Sequence, residues 1–174
     1  MIKFIISLCI IYVGFFTQAK EQDKAAPKYN NFISPSSKSY YIQHESEQIY
    51  QVKLLKTPQE LAKGFSGIKP EQVGNHQGLF FYFPTTSERH FWMPDTYFDL
   101  TIIYLNENLK VLHLIERAPH HEGTSEVEQP IFRAKPIKAR FVLEVKAGIS
   151  TPNSIKVGDQ FKWIKHHPPG FPQK

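Results

Sequence analysis

Cysteine is all but missing from this chain: its one copy, Cys9, lies in the leading apolar stretch. Once that stretch is removed no disulfide and no thiol nucleophile remain, so the fold has to be held by packing alone. Glycine is sparse as well, and no glycine-rich loop follows a strand to cradle a phosphate. No serine occupies a nucleophile elbow between glycines, which removes the familiar hydrolase signature. No apolar run approaches the roughly 20 residues that a spanning helix requires, and the mean hydropathy of -0.37 argues against a polytopic membrane protein. The net charge of +5 is modest. Its lysines are scattered, so the pI of 9.2 does not describe a nucleic-acid-binding face, and no nucleic-acid partner is expected.

What is present begins with an export pattern. Lys3 gives Met1 to Ala19 a positive start, Phe4 to Phe16 is almost wholly apolar, and Thr17-Gln18-Ala19 offers a small residue before a cut. At about 13 residues the apolar run is short for a retained anchor, so residues 1–19 read as a signal peptide cleaved after Ala19. The mature protein is then expected in the periplasm or outside the cell, off the membrane and monomeric. A disulfide-free mature chain is compatible with a bacterial periplasm. Residues 20–39, rich in Lys, Pro, Ser and Asn, read as a flexible lead-in, residues 40–165 as one domain, and residues 166–174, with three prolines, as a disordered tail.

Within the domain, Gln48 to Leu55 alternates as a strand, with Tyr40 to His44 able to pair beside it. Thr57-Pro58-Gln59-Glu60 carries an N-cap, a proline at the first helical position and a capping-box glutamate, and Gly64 is the natural stop of this short helix. Leu79 to Phe83 is a strand that Pro84 to Glu88 should break. Thr101 to Leu105 and Leu109 to Ile115 form a hairpin across Asn106-Glu107-Asn108, and both strands, apolar on both faces, should be central. Arg117 to Lys138 reads as a long surface connection; Phe141 to Val145 and Gln160 to Ile164 complete the strands. The fold class is therefore mostly β with minor α: a small barrel or rolled antiparallel sheet with one or two short helices.

Several of these pieces, in this order, mark a family: Thr57-Pro58 with Glu60, Gly64-Phe65, Gly78-Leu79-Phe80 with Phe83-Pro84, Phe91-Trp92-Met93, Thr96, Leu143-Glu144-Val145 with Ala147-Gly148, and Ile155 with Gly158-Asp159. Together they resemble the bacterial and archaeal family called DUF 192 over roughly Tyr50 to Trp163. The resemblance implies a compact, largely β domain, frequently exported, with no established activity. The chain departs from the family pattern at Pro94-Asp95, at Asp99-Leu100-Thr101, where the family often has proline, leucine and aspartate, and near Pro119, where a cysteine is often found. A role carried by the family aspartate would here be lost or would fall to Asp99.

The stretch from Gly78 to Leu105 crowds aromatic residues against 14% for the whole chain and sets Arg89, His90, Asp95, Thr96 and Asp99 among them. A purely structural core strand has little reason to carry those polar groups. Trp92 is a candidate stacking platform or a core residue. Asp95 and Asp99 straddle Thr96-Tyr97-Phe98; converging, they would suit carboxylate hydrolysis, while turn capping is the plainer role of Asp95. Glu144 shares a strand face with Val142 and Lys146, either at the solvent edge or in a cavity beside Arg140 or Arg89. The candidate ligand-binding set is Trp92, Asp95, Thr96, Asp99, Arg140 and Glu144. His120-His121-Glu122 points its histidines to opposite sides of an extended segment and does not supply the three or four converging ligands of a zinc site, so no metal or cofactor is expected. These features favour binding of a small polar ligand or a cell-envelope component, with a hydrolase acting on a glycan or ester through Asp95, Asp99 or Glu144 as the alternative.

Overall fold

Alternation along one strand decides how the domain is layered. In β6 (Ile137–Lys146) the side chains of Phe141, Leu143 and Val145 enter one apolar cluster with Ile42, Tyr50, Val52, Phe80 and Ile103, whereas Val142 joins Leu79, Phe81, Ile102 and Tyr104 in a second. A strand buried on both faces reads as a near-continuous apolar run, as β6 and β4 (Leu100–Leu105) do. The computed structural model describes residues 32–33, 39–148 and 155–165. The expected signal peptide, most of the lead-in and the tail from residue 166 lie outside the described residues.

The remaining strands are β1 (Tyr40–His44), β2 (Ile49–Leu55), β3 (Gln77–Arg89), β5 (Val111–Ala118) and β7 (Phe161–Ile164). They form one seven-stranded sheet in the order β5-β4-β6-β3-β2-β1-β7. Its neighbours are antiparallel except β2 and β3, which run parallel with Val52 opposite Gly78. That pairing demands a crossover, and the crossover carries α1 (Pro58–Lys63). The two edges meet at one end: Val111 N–H donates to the Asp159 carbonyl at 2.8 Å, and Phe161 N–H to the Leu109 carbonyl at 3.0 Å. The sheet is thus a curled half-barrel with the first cluster inside it and the second on its outer face.

Local chemistry sets α1 as expected. Glu60 N–H donates to Thr57 Oγ1 at 3.3 Å, and the Glu60 carboxylate accepts from Thr57 N–H at 3.0 Å, a reciprocal capping box. Gly64 ends the helix at φ 49° and ψ -131°, a region that a Cβ makes costly. Phe32, in the lead-in segment, stacks on Phe65 at 5.2 Å, and Ile33 is buried beside it, so at least these two residues belong to the domain.

Three sequence expectations change. β5 is an edge strand paired only with β4, and Leu112 is 38% exposed; its apolar residues are shared between the core and solvent rather than covered twice. Pro84 does not end β3: the strand passes through it with a register shift between Tyr82 and Ser87, an irregularity where a missing N–H is tolerated. The connection from 119 to 136 is not all surface. It clips back onto the 92–96 segment through bridges Trp92 to Arg133 and Thr96 to His121, burying His121 and Ile131.

Candidate functional site

The C-terminal end of α1 stands over the outer face of the sheet and leaves a cavity of about 310 Å³ beneath it. Phe81 and Phe83 from β3, Phe65, Phe91, Trp92 and Met93 provide its apolar wall. Lys63, Glu88, Arg89, His90 and Thr96 supply polar groups, and Glu144 of β6 faces it from the sheet. Met93 is almost wholly buried, whereas Trp92 is 51% exposed, so the adjacent side chains divide between core and mouth.

Glu144 is brought here by register. It lies opposite Leu79 of β3 and Ile102 of β4, in the middle of the sheet, and alternation turns it outward with Val142. Only 4% of the residue is exposed, and among the described residues its carboxyl has no hydrogen-bond or ion-pair partner. Burial alone pushes its pKa from the ordinary 4.5 to about 8. It is therefore a neutral acid at pH 7. The Glu144 Oε2 lies 3.6 Å from where a Cβ on Gly64 would stand, so the end of α1 comes within van der Waals reach of the carboxyl. Nearby on the same outer layer, the Tyr104 hydroxyl is buried without a partner among the described residues. Burial first, and then the proximity of Glu144, push its pKa up.

Arg89 is fixed across the mouth. Its Nε donates to the Ala139 carbonyl at 3.2 Å, Nη2 donates to the Thr85 carbonyl, and the guanidinium lies over the Phe83 ring at 3.7 Å. Burial, and after it the charge of Arg140, lower its pKa. No carboxylate pairs with it among the described residues.

Of the six sequence candidates the cavity gathers three: Trp92, Thr96 and Glu144. Thr96 is buried and its hydroxyl donates to the Pro94 carbonyl at 3.1 Å. Asp95 sits at φ 49° and accepts from the Tyr97 hydroxyl at 2.8 Å, a local turn contact. Arg140 donates to the Pro84 carbonyl and spreads over the Tyr82 and Phe141 rings, away from the cavity lining.

Asp99 belongs to a second, wider cleft with His120, His121, Glu122 and Glu128. Its Oδ2 accepts from Arg117 at 2.7 Å, and its Oδ1 takes the His120 N–H at 2.9 Å and stands 2.6 Å from His120 Nδ1. Burial would raise its pKa, but the His120 side chain, the His120 backbone N–H and Arg117 outweigh it and hold the carboxyl at about 2. His121 is turned the other way, its Nδ1 3.3 Å from the Gly123 carbonyl and its Nε2 2.9 Å from that of Gln129. The Asp99 to His120 pairing was not legible in the sequence because 21 residues and a whole hairpin separate them. Elsewhere His44, Glu45 and Asp159 bring ligand-type atoms within 4.8 Å of one another. His44 is already engaged with Asp159 at 3.1 Å and with Ser46 at 2.8 Å.

No curated protein matches this chain. Among solved structures, it is similar to a candidate transcription regulator from Sinorhizobium meliloti, at 22% identity and a TM-score of 0.58, covering 72% of this chain and 94% of that one. It is also similar to a protein of unknown function from Novosphingobium aromaticivorans, at 23% identity and a TM-score of 0.56, covering 72% and 84%. Identities this low establish the shared fold. The DUF192 pattern, described as an uncharacterized ACR, matches residues 40–163, which include every strand from β1 to β6 and nearly all of β7. The chain belongs to the DUF192 family.

Proposed function

We propose that this protein is exported and, in the periplasm or outside the cell, binds a small polar ligand or a cell-envelope component in the cavity beneath α1. The observation that carries this reading is Glu144, a buried carboxyl facing an aromatic-walled cavity with no partner among the described residues. A carboxyl that faces a cavity and makes no hydrogen bond among the described residues leaves its donor and acceptor open to a ligand. The half-exposed Trp92 at the mouth is suited to stack on a ring. The volume lies at the lower end of small-molecule sites, about 300–1,000 Å³.

The hydrolase reading is favoured by the same residue. A carboxyl that stays protonated at neutral pH is a proton donor for a leaving group. Asp95 and Asp99 lie outside the cavity, so the partner carboxylate of such a reaction would have to be Glu88.

One experiment separates the two. The processed protein is screened against cell-wall fragments with thermal shift and product detection in parallel. Binding predicts a raised midpoint without product, and Trp92→Ala should weaken that binding by about 1–3 kcal/mol, the scale of aromatic stacking. Product formed by the wild type and lost in Glu144→Gln transfers the site to the hydrolase reading. Export is checked by mass spectrometry of the periplasmic or secreted fraction: a chain beginning near Lys20 is expected, and an intact Met1 refutes the cleaved signal.

A further inference from the structure

We propose that the ligand engages Glu144 through an uncharged primary amide or lactam, an N–H and a C=O presented side by side, and that the cavity discriminates against cationic amines. The inference rests on the cavity being the binding site and names what that site selects.

The argument starts from what faces the carboxyl. α1 contributes Lys63, β3 contributes Glu88 and Arg89 with His90 following it, and β4 brings Tyr104 nearby on the same layer. None of them is bonded to Glu144, and the carboxyl is kept neutral by burial. A neutral carboxyl offers one O–H donor and one carbonyl acceptor next to each other. A primary amide or lactam edge is the complement of that pair: its C=O accepts the Glu144 proton while its N–H donates to the Glu144 carbonyl, and two hydrogen bonds close a ring with no charge moved. Donor and acceptor on both sides are satisfied at once.

A cation fits this cavity poorly. It would require Glu144 to give up its proton, and both charges would then be held out of water, where desolvation offsets much of their attraction. The rings on which an ammonium would rest already carry protein cations, Arg89 over Phe83 at 3.7 Å and Arg133 over Trp92 at 5.5 Å. Lys63 and Arg89, both lining the cavity, have no carboxylate partner among the described residues. An incoming ammonium would meet their field first.

Three probes of similar size test the proposal: benzamide, benzylamine and ethylbenzene. The readout is the ε-methyl NMR signal of Met93, which lines the cavity and is the only methionine besides Met1. Benzamide should bind about tenfold more tightly than ethylbenzene at pH 6, the scale of one or two net hydrogen bonds. With Glu144 ionised by pH 9, its binding should weaken roughly tenfold, while ethylbenzene changes little. Glu144→Gln places a side-chain amide, again a donor beside an acceptor, at the same position; it should keep benzamide binding at both pH values. Glu144→Leu should reduce benzamide to the level of ethylbenzene. Preference for benzylamine, benzamide binding that strengthens toward pH 9, or loss of benzamide in a folded Glu144→Gln protein each overturns the proposal. Ethylbenzene binding as tightly as benzamide overturns it too but leaves the cavity as a site. If none of the three moves the Met93 signal, the cavity reading itself fails and the amide inference with it. Should Glu144→Gln not fold, the wild-type pH dependence of benzamide against ethylbenzene decides alone.

Discussion

Glu144, under α1, and Asp99, in the cleft beside His120, are acids of one small domain that their surroundings treat in opposite ways. Around Asp99 the chain places a guanidinium, an imidazole and a backbone N–H, and the carboxylate stays ionised down to about pH 2. Around Glu144 it places aromatic rings and, among the described residues, no donor bonded to it, and the carboxyl holds its proton up to about pH 8. The contrast teaches that the cleft is finished internally, its charge spent on tying Asp99 to Arg117 and His120, whereas the cavity is left with an open valence. An incomplete site is the better place to expect a ligand.

The comparison is broken most forcefully through pH. Glu144 has a folded pKa of about 8 against an ordinary 4.5. Its neutral form is fully compatible with folding below about 4.5, and that contribution is lost as pH rises through 8. The whole span corresponds to about 5 kcal/mol at most. Glu144→Gln should therefore be more stable than wild type at pH 9 by several kcal/mol, with the gap closing toward pH 4, measured by urea denaturation at each pH. A pH-independent difference would show that Glu144 is not the unpartnered acid described above.

A smaller effect should come from Gly78, which pairs with Val145 on β6 and lies against the Glu144 carbonyl. A Cβ there would stand 2.6 Å from the Glu144 carbonyl oxygen and 2.8 Å from Val145 Cγ1. Gly78→Ala should cost about 1–3 kcal/mol by overpacking and shift the Met93 methyl signal, since β6 must move with Glu144 on it. An unchanged denaturation midpoint would contradict the close β3 to β6 approach.

The Asp99 side responds in the opposite pH range. Its lowered pKa contributes stability above about 3.8 that is lost as pH falls through 2. Asp99→Asn should cost about 1 kcal/mol at pH 7, discounted because Arg117 and His120 are more than half exposed, and less at pH 3, read from thermal or chemical melts. The smallest change in stability belongs to Trp92→Ala, under about 1 kcal/mol for a side chain half in solvent. A loss of 3–5 kcal/mol would instead mark Trp92 as core.

Particular residues show where sequence reading stops. The capping box of α1 was legible because Thr57 and Glu60 are three residues apart and meet whatever the rest of the chain does. The β4 to β5 hairpin was legible for the same reason, although its outer strand was expected at the centre. The pairing of β5 with only one neighbour is decided by what lies beyond it, and apolar content does not report that. Spacing alone lets Asp95 and Asp99 converge; the chain turns between them, sending one to Tyr97 and the other to His120. Arg89 lines the cavity as one of the two arginines the sequence offered, Arg140 does not, and Phe65 joins it only because the crossover carries α1 across the sheet.

By itself, then, the amino-acid order determined the mostly β class, the short capped helix, the hairpin, the family and the alternation that sets Glu144 on one face of its strand with Val142. These follow from contacts between residues near in the chain or from period alone. The tertiary structure decided that this face is covered rather than wet, that the sheet edges meet through Val111 and Asp159, and that Asp99 is satisfied while Glu144 is not. Each depends on segments tens of residues apart arriving at one place, and a carboxyl's partners and dielectric surroundings exist only after they have arrived.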